Sequence, residues 1–263
     1  MTEIDENGFL SGRIQSWIDS QRASRRYIIE RAQELNRDCH RFLDGRAVDL
    51  GDEKQVATSV LFARVVELFQ SIILVSDRGM AATTRILSRA FLEACFHLFA
   101  IQKDSGYLND YFNQFLVQKR KLVRRIRQST SPQMESLRRG ATDQVLEETE
   151  RAIREKGARD ISVEEIARRA GMHDTYLTAY AILSYAVHTG ASDLDHHVRI
   201  NDETKETEGF KYGPSQGETD RAISLSGMTL AEALELVSRT FGEDRKELCT
   251  AHQEAFQSFL DKK

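Results

Sequence analysis

The stretch "RILSRAFLEACFHLF", residues 85–99, is apolar on nearly every side. Ile86, Leu87, Ala90, Phe91, Leu92, Ala94, Cys95, Phe96, Leu98 and Phe99 leave one line for polar residues, where Arg85, Arg89, Glu93 and His97 recur every four positions. Four-residue spacing stacks side chains along one side of an α-helix, so the stretch predicts a helix buried nearly all round that carries one polar stripe. Charged groups in a core are costly unless they are paired or meet a ligand. The stripe therefore marks a candidate site as well as a core helix. Arg85, nearer the helix start, is expected to be the better solvated arginine.

A second stretch, "TYLTAYAILSYAVH" at 175–188, repeats the pattern. Tyr176, Tyr180, Ser184 and His188 lie four apart, and Leu177, Ala179, Ala181, Ile182, Leu183, Ala186 and Val187 predict burial of the other sides. The simplest joint expectation has the two helices face each other, so that Arg89 and Glu93 meet Tyr180, Ser184 and His188. Such a cluster is either a satisfied network that fixes helix register or, because Arg85 and Arg89 outnumber Glu93, a pocket for a phosphate or carboxylate.

Outward from these stretches, periodicity predicts helices over 12–42, 53–75 with Asp52 as cap, 107–127, an exposed charged segment at 133–158, 162–171, 219–239 with a weak interruption at "SLSGM", and 244–260. Only Pro132 and Pro214 interrupt the chain. The predicted fold class is all-α, a multi-helix bundle with a small β-hairpin or ordered loop near 197–214. A single helical domain over 1–263 is expected, since no repeat or low-complexity linker divides it.

Thirty-seven basic and 41 acidic residues give a formal net charge of −4, which excludes a bulk basic surface but not a local patch. Cys39, Cys95 and Cys249 are odd in number and far apart, as in a protein with reduced thiols. The acidic start "MTEIDENGFL" is unlike a secretory signal, and the apolar run "LFQSIILVSD" at 68–77 is short for a bilayer. A cytoplasmic protein with no membrane partner is the expectation. No glycine-rich phosphate loop, nucleophile elbow or dinucleotide fingerprint occurs, so no cofactor is expected.

Three further motifs carry alternatives. "QKRKLVRRIRQ" at 118–128 places Lys119, Arg120 and Lys121 among further arginines, either as a solvated face or as a landing strip for RNA or nucleotide phosphates. "SDLDHH" gathers Asp193, Asp195, His196 and His197, but lacks a regular ligand frame, and no metal is assigned to it. "SVEEIARRAGMHDTYLTAY" at 162–180 has the outline of a helix-turn-helix, yet its second helix is too apolar to read base edges.

The Arg89-x-x-x-Glu93 helix, followed by the Tyr180-x-x-Leu183-Ser184-x-x-Val187-His188 helix, resembles a family of bacterial and archaeal helical proteins known as a domain of unknown function. The resemblance spans about 60–214, with helical extensions on both sides, and implies a fold without an activity. A looser likeness is to the HEPN superfamily, helical and often dimeric proteins that include metal-independent ribonucleases of toxin and phage-defence systems. Their mark is an arginine followed four to six residues later by a histidine. Arg168 and His173 fit that spacing, but Arg89 and His188 are the preferred bearers of the chemistry here.

The leading expectation is a HEPN-like protein that binds RNA or a nucleotide phosphate and cleaves RNA without a metal. His188 would move the proton, Arg89 with Arg85 would stabilise phosphorane charge, and Glu93 would orient Arg89. Tyr180 and Ser184 would hold His188 or the phosphate, and Lys119, Arg120 and Lys121 would gather the substrate. The rival is a non-catalytic interaction module, a homodimer or the partner of a neighbouring gene's product, with the apolar helix near residues 60–75 as dimer surface.

Overall fold

The structure is a computed structural model, and it describes residues 5–188, 194, 197–201, 203–210, 212–216 and 219–262. In chain order its helices are α1 (Ile14–Leu43), α2 (Glu53–Asp77), α3 (Ala81–Lys103), α4 (Tyr107–Gln128), α5 (Glu135–Gly140), α6 (Asp143–Lys156), α7 (Val163–Arg169), α8 (His173–Thr175), α9 (Ala181–His188), α10 (Thr219–Thr240) and α11 (Lys246–Leu260). A π-turn, Tyr176–Tyr180, joins α8 to α9, and two short strands, β1 (Val198–Ile200) and β2 (Thr207–Phe210), form an antiparallel hairpin. The fold class is all-α with a small hairpin, as the sequence predicts.

The striped helix α3 lies at the centre. It packs against α2 and α10 on one side and against α4, α7 and α9 on the other, while α1 and α11 close the bundle over α2 and α10. Asp52 caps α2, its side chain accepting from the amides of Lys54 and Gln55, two donors that the first helical turn cannot satisfy itself. Phe62, Phe69, Ile72, Phe91, Phe96 and Phe99 are fully buried between these helices, with Phe42 edge-on to Phe62 at 5.7 Å between ring centroids.

On length and composition α2 passes as a membrane span, with a mean hydropathy of 1.7 over its most apolar 18 residues. That corrects the shorter run expected from 68–77. Part of its apolar surface is spent on the core, and its outer side alternates the exposed Val60 and Leu74 with the Arg64–Glu67 ion pair.

Two further expectations change. The charged segment at 133–158 is two helices rather than one, because Ala141 turns inward and Thr142 starts α6 by accepting from the Val145 amide. Helix α10 runs unbroken through "SLSGM": a Cβ on Gly227 would stand 2.5 Å from the Phe256 ring, so the glycine is there to let α11 approach. Close packing outweighs the roughly 1 kcal/mol that a mid-helix glycine costs. All three cysteines are buried and free, and burial raises the pKa of each thiol.

Candidate functional site

Each four-residue step along α3 advances about 40° around a helix of 3.6 residues per turn, so a line of four such residues winds roughly a third of the way round. The stripe therefore splits. Arg85 is buried at its start, contrary to the expectation that it would be the better solvated arginine. Arg89 and Glu93 face α9. His97 has turned to α4, where its Nδ1 lies 2.7 Å from the Tyr107 hydroxyl and burial lowers its pKa.

The middle of the stripe meets the second helix as expected. Arg89 donates from Nη2 to the Tyr180 hydroxyl at 2.6 Å and from Nε to Ser184 Oγ at 3.2 Å, while Nη1 sits 3.1 Å from Glu93 Oε2. Tyr180 in turn donates to Glu93 Oε2 at 3.0 Å. The guanidinium also lies 4.7 Å above the centroid of the Tyr180 ring, and Ser184 donates back to the Tyr180 carbonyl at 2.8 Å. Burial first, and then the Glu93 carboxylate, push the Tyr180 phenol up to about 12. One cation, one anion and two hydroxyls thus close on each other, and every nitrogen of Arg89 has a partner.

His188 does not join them. It is the last residue of α9, is exposed, and makes no hydrogen bond or ion pair among the described residues. Two helical steps beyond Tyr180 its side chain has rotated about 80° off the interface, so the line of four on the second helix breaks where the first one does.

The outer side of α9 is the largest departure from the sequence reading, which has this helix buried. Ala186 and Tyr180 are buried, whereas Leu177, Ile182 and Tyr185 are exposed, because α3 covers one side and nothing described covers the other. The exposed side is apolar, which also fails the helix-turn-helix outline.

A second polar cluster lies one turn away. Gly171, at φ +68°, folds the chain back after α7 and brings His173 to Arg168, with Arg168 Nε 3.3 Å from His173 Nε2. Glu164 Oε1 accepts from Arg168 Nη2 at 2.6 Å and lies 3.2 Å from His173 Nε2. The rings of His173 and Tyr176 stack at 6.3 Å, and those of Tyr176 and Tyr180 at 5.3 Å, so a column of rings links this cluster to Arg89. Next to it Arg169 bonds Asp104 at 2.6 Å and Asp110 at 2.5 Å and covers the Tyr107 ring, which fixes α7 to the α3–α4 turn and holds the Asp104 carboxyl below its usual range. The sequence contains no spacing that would have revealed this tertiary pairing.

The remaining expected residues scatter. Lys119, Arg120 and Lys121 project about 100° apart around α4. Lys121 is paired with Asp160 at 2.6 Å, Arg120 is half-buried and Lys119 is exposed. Asp193, Asp195 and His196 lie outside the described residues, and His197 is exposed. Among the described residues no group of three metal-ligating side chains comes together.

Comparison of the chain with curated proteins and with solved structures returns no match. A family model does match, over residues 55–206, from the start of α2 to the hairpin, and so takes in both striped helices. The chain belongs to DUF5677, a family of unknown function.

Proposed function

We propose that this protein is a non-catalytic helical interaction module that pairs with a second copy through α9. One observation carries the reading: the chain has no charged residue between Asp174 and His188, and the outward side of that segment exposes Ile182 at 60% and Tyr185 at 57%. A large apolar side chain left in water forgoes roughly 1.5–3 kcal/mol of burial. An uncharged face is also self-complementary, since a two-fold pairing sets it against itself without stranding a charge. The side chains exposed between residues 177 and 187 offer on the order of 500 Å² per copy, so a pair that covers them fully buries roughly 1,000 Å², the size of a weak, reversible interface. The Arg89 cluster is then the latch that holds α9 rigidly on α3, with its charges satisfied internally.

Cysteine cross-linking tests the pairing, because the three natural thiols are buried. Ile182→Cys and Tyr185→Cys are expected to give covalent dimers under mild oxidation, and Leu50→Cys, exposed in the α1–α2 loop, is not. Equal cross-linking at all three positions would overturn the reading.

A second reading, RNA or nucleotide-phosphate binding with metal-independent cleavage of the kind found in toxin and phage-defence ribonucleases, is favoured by the contact between Arg168 and His173. A histidine can move the proton and an adjacent arginine can stabilise phosphorane charge, and the Arg168 and His173 side chains are 61% and 32% exposed against 21% for Arg89. On this reading the chemistry belongs to Arg168 and His173 rather than to Arg89 and His188. EDTA-treated protein that cleaves RNA, and loses the activity in His173→Ala and Arg168→Ala with the fold intact, would establish it. No cleavage across a broad RNA panel would rule it out.

A further inference from the structure

Helix α4 shows three columns of residues seven apart on its outward side. Phe115 and Leu122 form the central column, exposed at 64% and 58%, with Phe112 and Lys119 on one flank and Gln118 and Arg125 on the other. Seven residues are close to two helical turns, so each column runs along the helix, and an apolar seam between two flanks is the pattern by which one helix receives another. Elsewhere α4 packs against α6 and α3, and Val117 and Val123 are buried.

The charges on the two sides of α4 differ in a way that identifies the occupant. Away from the seam Lys121, Arg124 and Arg127 are paired with Asp160, Glu150 and Asp143, and Arg120 lies half-buried among them with no ion pair among the described residues. Lys119 and Arg125, on the flanks of the seam, make no hydrogen bond or ion pair among the described residues. Flanking charges set partner choice in helix pairing, and two cations there repel a second copy of the same face. We propose that the Phe115–Leu122 seam binds an amphipathic helix of another protein that carries acidic residues beside its apolar face. The site is separate from α9, and self-association through α9 neither requires nor excludes it. Three large apolar side chains make too narrow a face for stable insertion into a lipid surface, and two free cations are few for an RNA track.

Full-length protein is titrated against fluorescent 21-residue helical peptides with leucine at the seam positions and either glutamate or lysine on the flanks, with binding read as anisotropy. The glutamate peptide is expected to bind at least tenfold more tightly than the lysine peptide, and less tightly as salt rises. Leu122→Ser should weaken it at least tenfold, and the double reversal Lys119→Glu with Arg125→Glu should invert the preference, while circular dichroism stays unchanged. Equal binding of the two peptides, or no binding of either, would overturn the proposal. So would binding of a single-stranded RNA or of anionic vesicles that the double reversal abolishes while neither peptide shows a preference.

Discussion

Tyr180 stands between Arg89 and Glu93: its hydroxyl accepts from the arginine at 2.6 Å and donates to the carboxylate at 3.0 Å, so one phenol joins α9 to both charges of α3. Removing that oxygen leaves two charged groups short of a partner. Tyr180→Phe is expected to destabilise the fold by about 1–3 kcal/mol. Ser184→Ala, which removes a single 3.2 Å bond to Arg89, should cost less, about 0.5–1.5 kcal/mol. Urea midpoints of the two variants decide the order, and a larger loss for Ser184→Ala would show that the phenol is not the keystone.

The same phenol sets a limit on alkaline stability. Its pKa in the folded protein is pushed up to about 12, above the value near 10 of an exposed tyrosine. The folded state holds the proton more tightly, so the contribution is complete below pH 10 and is lost as pH rises toward 12. Denaturant midpoints measured between pH 9 and 12 should fall for the wild type and fall less for Tyr180→Phe. Parallel curves would contradict the assignment.

Helix α1 is tied to the start of α10 by Arg25 and Asp220, 2.7 Å apart with both side chains 2% exposed. Arg25→Ala should cost about 1–3 kcal/mol, because it takes a charged hydrogen-bond donor from the buried Asp220 carboxylate and from the Ser76 carbonyl. The double replacement Arg25→Met with Asp220→Leu should recover a large part of the loss, since a packed apolar pair avoids desolvation. Thermal or urea unfolding of single and double variants measures this, and additive losses would show that the two do not act as a pair.

Gly227→Ala tests the packing of α10 on α11. A methyl group there would meet the Phe256 ring at 2.5 Å. Overpacking of this kind costs about 1–3 kcal/mol, although alanine is the better helix former. A gain in stability would show that the ring moves aside freely.

The core helices were legible because their signals are local. The apolar period of 85–99, the Asp52 cap and the hairpin near 197–214 each follow from a few neighbouring residues. The meeting of Arg89 and Glu93 with Tyr180 and Ser184 was legible too, since two polar lines on apolar helices have few other places to go. What failed was the length of those lines. Four-residue spacing drifts about 40° per step, so His97 and His188 rotate away from a site that Arg89, Glu93, Tyr180 and Ser184 share. The exposure of α9 was hidden for a different reason: an apolar helix enclosed by a core and one covered on a single side have the same composition. The Glu164–Arg168–His173 contact depends on the left-handed turn at Gly171, a conformation that glycine permits and sequence spacing alone does not specify.

Sedimentation velocity distinguishes a chain that pairs through α9, as proposed, from one that does not. Wild-type protein should sediment as a dimer at tens of micromolar, while Ile182→Glu should be a folded monomer with unchanged helicity, because the pairing would bury two unpaired carboxylates. A wild type that remains a 30.0 kDa monomer throughout that range, or an Ile182→Glu variant that still dimerises, would rule out pairing through α9.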